Sequence, residues 1–225
     1  MFRIFAFVGL TIIHALQFPS HNRIVWEDEI RPLAWTSPTV IFVDGILTFG
    51  EPAVQNHCTA WAYRTKDNPT QLHWITAAHC LLDEESGALE DHDYQIDGHP
   101  VYPEDWRWPE DVASLTDYAG VQHGLTLAKT EPLAGKQTRL TIRSYPLGVM
   151  RMFTFGGFLA ARDVSFDQDY DIYQVPDAPG SSGSPVFDAH DRVIGLVQIG
   201  WSHTFGPVSG GLSLSKLQQF LHALP

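Results

Sequence analysis

Two short segments of the sequence hold residue types that act together in nucleophilic catalysis. The first is TAAHC, residues 76–80, in which His79 follows an apolar run. The second is GSSGSP, residues 180–185, in which three serines stand among glycines. A serine hydroxyl is a weak nucleophile until a histidine accepts its proton, and a neighbouring carboxylate fixes the tautomer of that histidine. If the fold brings the two segments and a carboxylate together, these residues predict covalent attack by a serine hydroxyl on a carbonyl carbon.

Both segments resemble the motifs of the trypsin-like serine peptidases, the chymotrypsin-fold superfamily. TAAHC matches the family's histidine motif residue for residue, and residues 180–185 match its serine motif, Gly-Asp-Ser-Gly-Gly-Pro, at four of six positions. The flanking PGSSGSPVFDAHDRVIGL is most similar to the bacterial HtrA-like and glutamyl-endopeptidase-like branches. The resemblance implies a serine endopeptidase that cleaves protein or peptide substrates through an acyl-enzyme, without cofactor or metal.

The same resemblance assigns roles to individual residues. Ser182 is the expected nucleophile, His79 is the expected base, and the N–H groups of Gly180 and Ser182 are expected to form the oxyanion hole. The family also has an Asp at the start of an apolar strand, and both Asp111 (DVASL) and Asp117 (DYAGV) fit that pattern. We favour Asp117, because an apolar stretch and then a linker follow it. Asp111 follows a loop rich in Trp and Pro, where an Asp is expected to cap a turn.

The cysteine content agrees with the resemblance. Cys58 and Cys80 are the two cysteines of the chain, and the family commonly bridges the cysteine after its catalytic histidine to one on the preceding strand. We therefore expect a Cys58–Cys80 disulfide. Two cysteines without a CxxC motif do not make a zinc site.

Four further residues are predicted to contact substrate: Asp177, Val197, Gln198 and Gly200. Asp177 either lines the specificity pocket, where it would favour Lys or Arg, or is an exposed turn residue. Gly200 lies on the expected substrate-binding strand. Val197 occupies the position at which glutamate-specific relatives carry a histidine, so a preference for glutamate is not supported.

One position departs from the animal digestive enzymes. Ser181 stands where those enzymes have the Asp that receives the new amino terminus after zymogen cleavage. Activation through that salt bridge is therefore not expected.

The elements that must position these residues are short strands with glycine and proline at the turns. Strands at this density without intervening helices predict an all-β fold of two antiparallel barrels or sandwiches. The resemblance to the trypsin-like peptidases implies that these are two six-stranded barrels, at about residues 37–128 and 138–212, in one domain spanning 21–225. A short C-terminal helix is predicted at about residues 214–224. Its apolar positions form one stripe: Leu214, Leu217, Phe220, Leu221 and Leu224.

The charge of the chain excludes some partners. The net charge is −12, and because phosphate groups are bound by clustered Lys and Arg, nucleic acid and anionic membrane are not expected partners. The acidic run at residues 81–98 lacks the ordered ligand spacing of a calcium loop, so we expect a solvated acidic loop.

The N-terminal residues 1–20 resemble a secretory signal peptide. Arg3 precedes an apolar run from Ile4 to Leu16, which is too short to span a bilayer comfortably. A retained anchor or a buried N-terminal segment is the alternative. We expect a secreted or otherwise extracytoplasmic protein with no stable membrane insertion after processing.

Two other functions were compared with this prediction. An α/β-hydrolase needs its Asp and His after the serine, but only 43 residues follow Ser182 and no βαβ alternation is present. A catalytically silent homologue that serves as a binding or scaffold module remains the alternative hypothesis.

Overall fold

The computed structural model describes residues 29–225 apart from 37–39, 44–45, 50–55, 66–67, 69, 84, 117–120, 122, 136–137, 149–150, 166–168 and 202–207. The predicted signal peptide therefore lies outside the described residues. The strands are β1 Ile30–Thr36, β2 Val40–Val43, β3 Ile46–Phe49, β4 Asn56–Arg64, β5 Leu72–Thr76, β6 Asp93–Ile96, β7 His99–Pro100, β8 Tyr102–Arg107, β9 Val112–Thr116, β10 Arg139–Ser144, β11 Phe153–Ser165, β12 Asp169–Gln174, β13 Pro185–Phe187, β14 Val193–Trp201 and β15 Val208–Ser213. The helix α1 spans Leu214–Ala223, and 3-10 turns lie at Ala78–Cys80 and Pro146–Gly148.

The first half of the chain forms an antiparallel sheet of seven strands. Their order is β7-β6-β1-β4-β5-β9-β8, and β2 pairs with β3 in a separate hairpin. The central strands β5 and β9 are rich in β-branched and aromatic residues, and most of their side chains are buried. This sheet is curled rather than closed within the described residues.

The second half forms a closed six-stranded barrel. The strand order around it is β10-β11-β12-β15-β14-β13. In β10 every second side chain is buried, which is the alternation of a strand with one face on the core. The prediction of an all-β, chymotrypsin-like fold is confirmed, with the difference that the first unit is a seven-stranded curled sheet.

The C-terminal helix forms where its apolar stripe predicts it. All five stripe residues are buried: Leu214, Leu217, Phe220, Leu221 and Leu224. The side chain of Ser213, the residue before the helix, makes no capping hydrogen bond; instead Glu131 Oε1 accepts the Ser215 N–H at 2.7 Å. None of the described helices has the length and apolarity that a membrane crossing requires.

One hydrophobic core runs from the first sheet to the helix. Trp61 and Trp74 are fully buried in it, and the same cluster includes Phe187 of the barrel and Phe220 of α1. A second cluster fills the barrel interior around Tyr173. The shared cluster fixes how the two sheets meet, and the candidate site lies between them.

The barrel also buries a carboxyl group. Asp171 on β12 is 1% exposed, and burial raises its pKa to about 6 despite the attraction of Arg162. The Arg162 guanidinium lies 3.5 Å from Asp171 and 2.6 Å from Glu131. Because Glu131 also holds the first turn of α1, this cluster ties the barrel wall to the helix.

Asp171 makes the stability of the protein depend on pH. A carboxyl whose pKa is raised on folding contributes stability that is complete below about pH 4 and is lost as the pH rises through about 6. The slope is about 1.4 kcal/mol for each pH unit between the two pKa values. We expect Asp171→Asn to remove this slope from the unfolding free energy, measured by urea titration between pH 4 and 7.

Asp169 on the same strand provides the matched control. It is exposed, and hydrogen bonding from Ser165 together with the charge of Lys216 lowers its pKa. Asp169→Asn should therefore change the pH dependence weakly and in the opposite sense. An unchanged slope in Asp171→Asn would contradict the buried-carboxyl interpretation.

Candidate active site

The 3-10 turn after β5 carries His79. Its flanking residues Ala78 and Cys80 are buried, and the imidazole is 24% exposed. The predicted disulfide is present: Cys58 of β4 is bonded to Cys80, with their Cα atoms 6.4 Å apart. The turn is thereby fastened to the neighbouring strand, and the histidine is held at the surface of the core.

Asp111 binds His79 at two points. Its Oδ2 lies 2.9 Å from His79 Nδ1, and its Oδ1 accepts the main-chain N–H of His79 at 2.8 Å. Because a carboxylate oxygen only accepts, the Nδ1 atom carries the proton and Nε2 is left as the basic atom. This arrangement fixes both the tautomer and the orientation of the imidazole.

The register of β5 and β9 explains why this acid is Asp111. The strands are antiparallel with Thr76 opposite Ala113, so continuing the pairing brings residue 111 opposite the turn at 78–79. Thr116 is at the other end of β9, about 17 Å from residue 111 along the strand. The preference for Asp117 is therefore corrected in favour of Asp111; Asp117 itself lies outside the described residues.

Gln198 supports the acid from the second barrel. Its Nε2 donates to the main-chain oxygens of Glu110 and Asp111, the latter at 2.9 Å. The side chain is 4% exposed. Sequence analysis assigned Gln198 to the substrate pocket, whereas its side chain braces the turn that carries Asp111.

The loop that carries Ser182 lies against the first sheet. Thr59 N donates to Ser182 O at 2.9 Å. Gly183 has a φ of +82°, and a Cβ there would lie 2.3 Å from Thr59 O and 3.0 Å from Ala77 N. Only glycine accepts both this conformation and this approach. The loop thus meets the strand end that leads into the His79 turn.

The main-chain N–H groups of the loop differ in their partners. Those of Ser181, Gly183 and Ser184 donate to main-chain oxygens at 2.8–3.0 Å. No acceptor among the described residues takes the N–H of Gly180 or of Ser182. The two groups that sequence analysis assigned to an oxyanion hole are therefore available to a ligand.

Asp177 and Gly200 lie together. A Cβ on Gly200 would be 2.3 Å from both Asp177 carboxylate oxygens, so the carboxylate rests against the glycine on β14. Asp177 is half-buried, unlike an exposed turn residue. Burial raises its pKa, partly offset by a hydrogen bond from the Ser209 side chain. Val197, also assigned to the pocket, is 1% exposed, and its side chain packs in the barrel core.

A metal centre does not fit the residues around His79. The Cys58, Cys80 and His79 ligand atoms lie within 4.8 Å of one another. Both sulfur atoms are consumed by the disulfide, so neither is available as a thiolate ligand.

Comparison with known families agrees with this geometry. Residues 58–196 match the model of the trypsin-like peptidase domain, and this match covers more than half of the chain. The chain belongs to the trypsin-like peptidase family. No curated protein matches the sequence of this trypsin-like peptidase.

Solved structures share the fold of this trypsin-like peptidase at low sequence identity. One is the Rv3671c protease from M. tuberculosis in its active form, with a TM-score of 0.63 and 14% identity over 87% of this chain and 81% of that chain. Another is the HtrA-type protease AlgW with a tripeptide, with a TM-score of 0.61 and 15% identity over 87% of this chain and 59% of that chain. The resemblance to HtrA-type proteases that the motifs indicate is thus confirmed at the level of the fold.

The disulfide of this trypsin-like peptidase should be a measurable source of stability. It joins residues 22 positions apart, and closing a loop of that length stabilises a folded chain by about 3 kcal/mol. We expect the double variant Cys58→Ser/Cys80→Ser to lose about that unfolding free energy in urea titration. Wild-type protein in reducing agent is the control and should lose a similar amount. Equal stability of the oxidised and double-serine proteins would contradict the expectation.

Proposed function

We propose that the protein is a serine endopeptidase that uses Ser182, His79 and Asp111. Ser182 Oγ attacks the scissile carbonyl carbon while His79 Nε2 accepts its proton. Asp111 holds the imidazole through Nδ1 and stabilises it once it is charged. His79 then gives the proton to the leaving amine, and water hydrolyses the acyl-enzyme by the same steps.

The N–H groups of Gly180 and Ser182 stabilise the charge that develops during attack. A tetrahedral intermediate places a negative charge on the former carbonyl oxygen, and two preorganised main-chain donors bind it at no cost of reorganisation. That these N–H groups have no acceptor among the described residues supports this role.

The observation that carries the proposal is the double contact between Asp111 and His79. A single hydrogen bond to a histidine is common in protein cores. Here one carboxylate binds both the ring and the main chain of the residue, at 2.9 Å and 2.8 Å, and the loop that carries the half-buried Ser182 adjoins the same turn. Membership of a peptidase family supports the same chemistry.

The acid is tested by Asp111→Asn. Asparagine tolerates the left-handed φ of +48° at this position, so the turn is expected to remain intact. Asn cannot enforce the Nδ1-protonated tautomer, and replacing this acid in the serine–histidine–aspartate arrangement lowers turnover by about 10⁴-fold. We expect that loss in kcat on a cleavable peptide, with the circular dichroism spectrum unchanged.

Asp117→Asn and Ser182→Ala complete the experiment. Asp117→Asn should keep its turnover, and the opposite outcome would transfer the role to Asp117. A fluorophosphonate probe should label the wild type and not Ser182→Ala. A wild type that neither takes the label nor cleaves any member of a peptide library would instead be the silent binding module.

Asp177 further suggests a preference for basic residues. Its carboxylate is half-buried against Gly200 and has no ion pair with any described Lys or Arg. A substrate cation beside Gly200 would neutralise it and relieve the burial that raises its pKa.

This preference is expected to appear as cleavage after Lys or Arg in a peptide library. Removing one member of a partly buried charge pair costs about 2–5 kcal/mol, so Asp177→Asn should lower kcat/KM for those peptides about 30-fold or more. Peptides with neutral residues at that position serve as the control and should be little affected. Cleavage after basic residues should also increase with pH as Asp177 ionises. Preferential cleavage after apolar residues, unchanged in Asp177→Asn, would refute the assignment of Asp177 to the specificity pocket.

We also propose that the protein acts outside the cytoplasm. A disulfide persists in an oxidising compartment, and the Cys58–Cys80 bond fixes the turn of the proposed base. Protein or peptide chains are the proposed substrates.

A further inference from the structure

Thr59 lies between the two segments that shape the Ser182 loop. It is fully buried in the middle of β4. Its hydroxyl donates to Gly180 O at 2.8 Å and accepts the N–H of Tyr145 at 3.0 Å. One hydroxyl thus joins residue 180 to the segment 145–147, while the Thr59 N–H binds Ser182 O. A side chain of the first sheet therefore sets the position of a loop of the second barrel.

The loop begins with a tight turn of one defined type. Ser181 N donates to Ala178 O at 2.9 Å, and Pro179 and Gly180 are the central residues. Gly180 has a φ of +95°. Proline followed by a glycine of positive φ is the signature of a type II turn.

The turn type decides where the Gly180 N–H points. Types I and II differ by a rotation of about 180° of the central peptide, here the peptide of Pro179 and Gly180. In a trans peptide the carbonyl and the N–H point in opposite directions. Leu147 N donates to Pro179 O at 2.5 Å, so this hydrogen bond directs the Gly180 N–H away from the segment 145–147.

Leu147 reaches this position in an unfavourable conformation. Its φ is +57° and its ψ is 24°, and its side chain is 69% exposed. A left-handed conformation costs a non-glycine residue about 1–2 kcal/mol and persists only where surrounding contacts hold it. The hydrogen bond from Tyr145 N to Thr59 Oγ1, two residues earlier, is such a contact.

We propose that the Thr59 hydroxyl is a positioning group for the oxyanion hole. It fixes the segment 145–147 and Gly180 relative to each other, so that Leu147 can hold the Pro179–Gly180 peptide in its type II orientation. This role rests on the proposed peptidase function. Thr59, which is far from Ser182 in sequence, would then influence how well the transition state is stabilised. Thr59 itself does not touch the reacting atoms.

Thr59→Val and Thr59→Ser separate the hydroxyl from the shape of the side chain. Valine keeps the shape and removes both hydrogen bonds, whereas serine keeps the hydroxyl. Loss of one oxyanion donor lowers turnover by about 10²–10³-fold, and a misdirected donor should cost less. We expect kcat of Thr59→Val to fall about 10–10²-fold with KM within about twofold of wild type, and Thr59→Ser to recover most of the activity.

A transition-state analogue distinguishes positioning from general destabilisation. A peptide aldehyde forms a hemiacetal on the serine and occupies the oxyanion hole, whereas the product peptide of the leaving-group side, which begins with a free amine at the cleavage site, places no oxygen there. Thr59→Val should bind the aldehyde more weakly by the same factor as its loss in kcat, and should bind the product peptide as the wild type does. Tyr173→Phe is the matched control, because it also removes a buried hydroxyl bond, to Leu212 O at 3.3 Å. It should lower stability and leave kcat unchanged.

Leu147 provides a second variant that does not disturb the core. Leu147→Val disfavours the left-handed conformation because valine is β-branched, whereas Leu147→Gly accepts it freely. We expect the valine variant to lose kcat and aldehyde affinity and the glycine variant to keep them. This comparison decides the proposal if Thr59→Val fails to fold.

The outcomes distinguish this proposal from the peptidase assignment. A wild type that a fluorophosphonate does not label would overturn both. A labelled, active wild type together with unchanged kcat and aldehyde affinity in Thr59→Val would overturn the positioning role alone. Equal activities of the valine and glycine variants at residue 147 would do the same.

Discussion

The hydrogen bonds that link His79, Asp111 and Gln198 join three parts of the chain. His79 lies on the turn that ends β5, Asp111 lies on the turn that begins β9, and Gln198 reaches the latter turn from β14. The pairing of β5 with β9 determines which residues meet, and the disulfide and Gln198 then restrict how far either turn can move. Asp111 binds both the ring and the main-chain N–H of His79. The pairing of the two strands therefore fixes the orientation of the imidazole. The serine loop needs only to approach this fixed imidazole.

That approach accounts for the small residues around Ser182. The loop passes so close to β4 that a Cβ on Gly183 would overlap Thr59 O. Gly180 is restricted in the same way, because its Cβ would lie 2.7 Å from Tyr145 O. A composition typical of a flexible loop therefore reflects close packing. Under the proposed function flexibility would be harmful here, since a preorganised donor is effective only when it is already directed at the place where the charge develops.

The local motifs in the sequence predicted much of this arrangement, and the missing parts have physical reasons. The terminal helix could be predicted because its apolar period is visible within a few residues. The disulfide could be predicted because the family resemblance pairs the cysteine after the histidine with one on the preceding strand, and both predictions are confirmed. The carboxylate partner of His79 was predicted at the wrong position because an Asp followed by an apolar residue and an Ala occurs at 111 and again at 117. Only the long-range pairing of Thr76 with Ala113 separates the two.

The roles of Gln198 and Thr59 left no local trace at all. Each acts through hydrogen bonds to main-chain atoms of distant segments, and any residue can supply a main-chain oxygen. Such partners cannot be recognised from residue types. The fold class could be predicted because many short apolar runs separated by glycine and proline are visible in the sequence. Whether a sheet closes into a barrel depends instead on pairings between strands that are far apart in the chain.

The environment of Ser181 bears on how such an enzyme would be controlled. Its side chain is buried, and its hydroxyl lies 3.3 Å from the hydroxyl of Ser144. A neutral pair of hydroxyl groups thus occupies the space beside the loop, where no charged group of the described residues pairs with the Ser181 side chain. The proposed active site would then be complete as soon as the chain has folded. If the protein is the proposed peptidase, its activity would be limited by means other than a salt bridge between a new amino terminus and residue 181, such as an inhibitor that occupies the cleft.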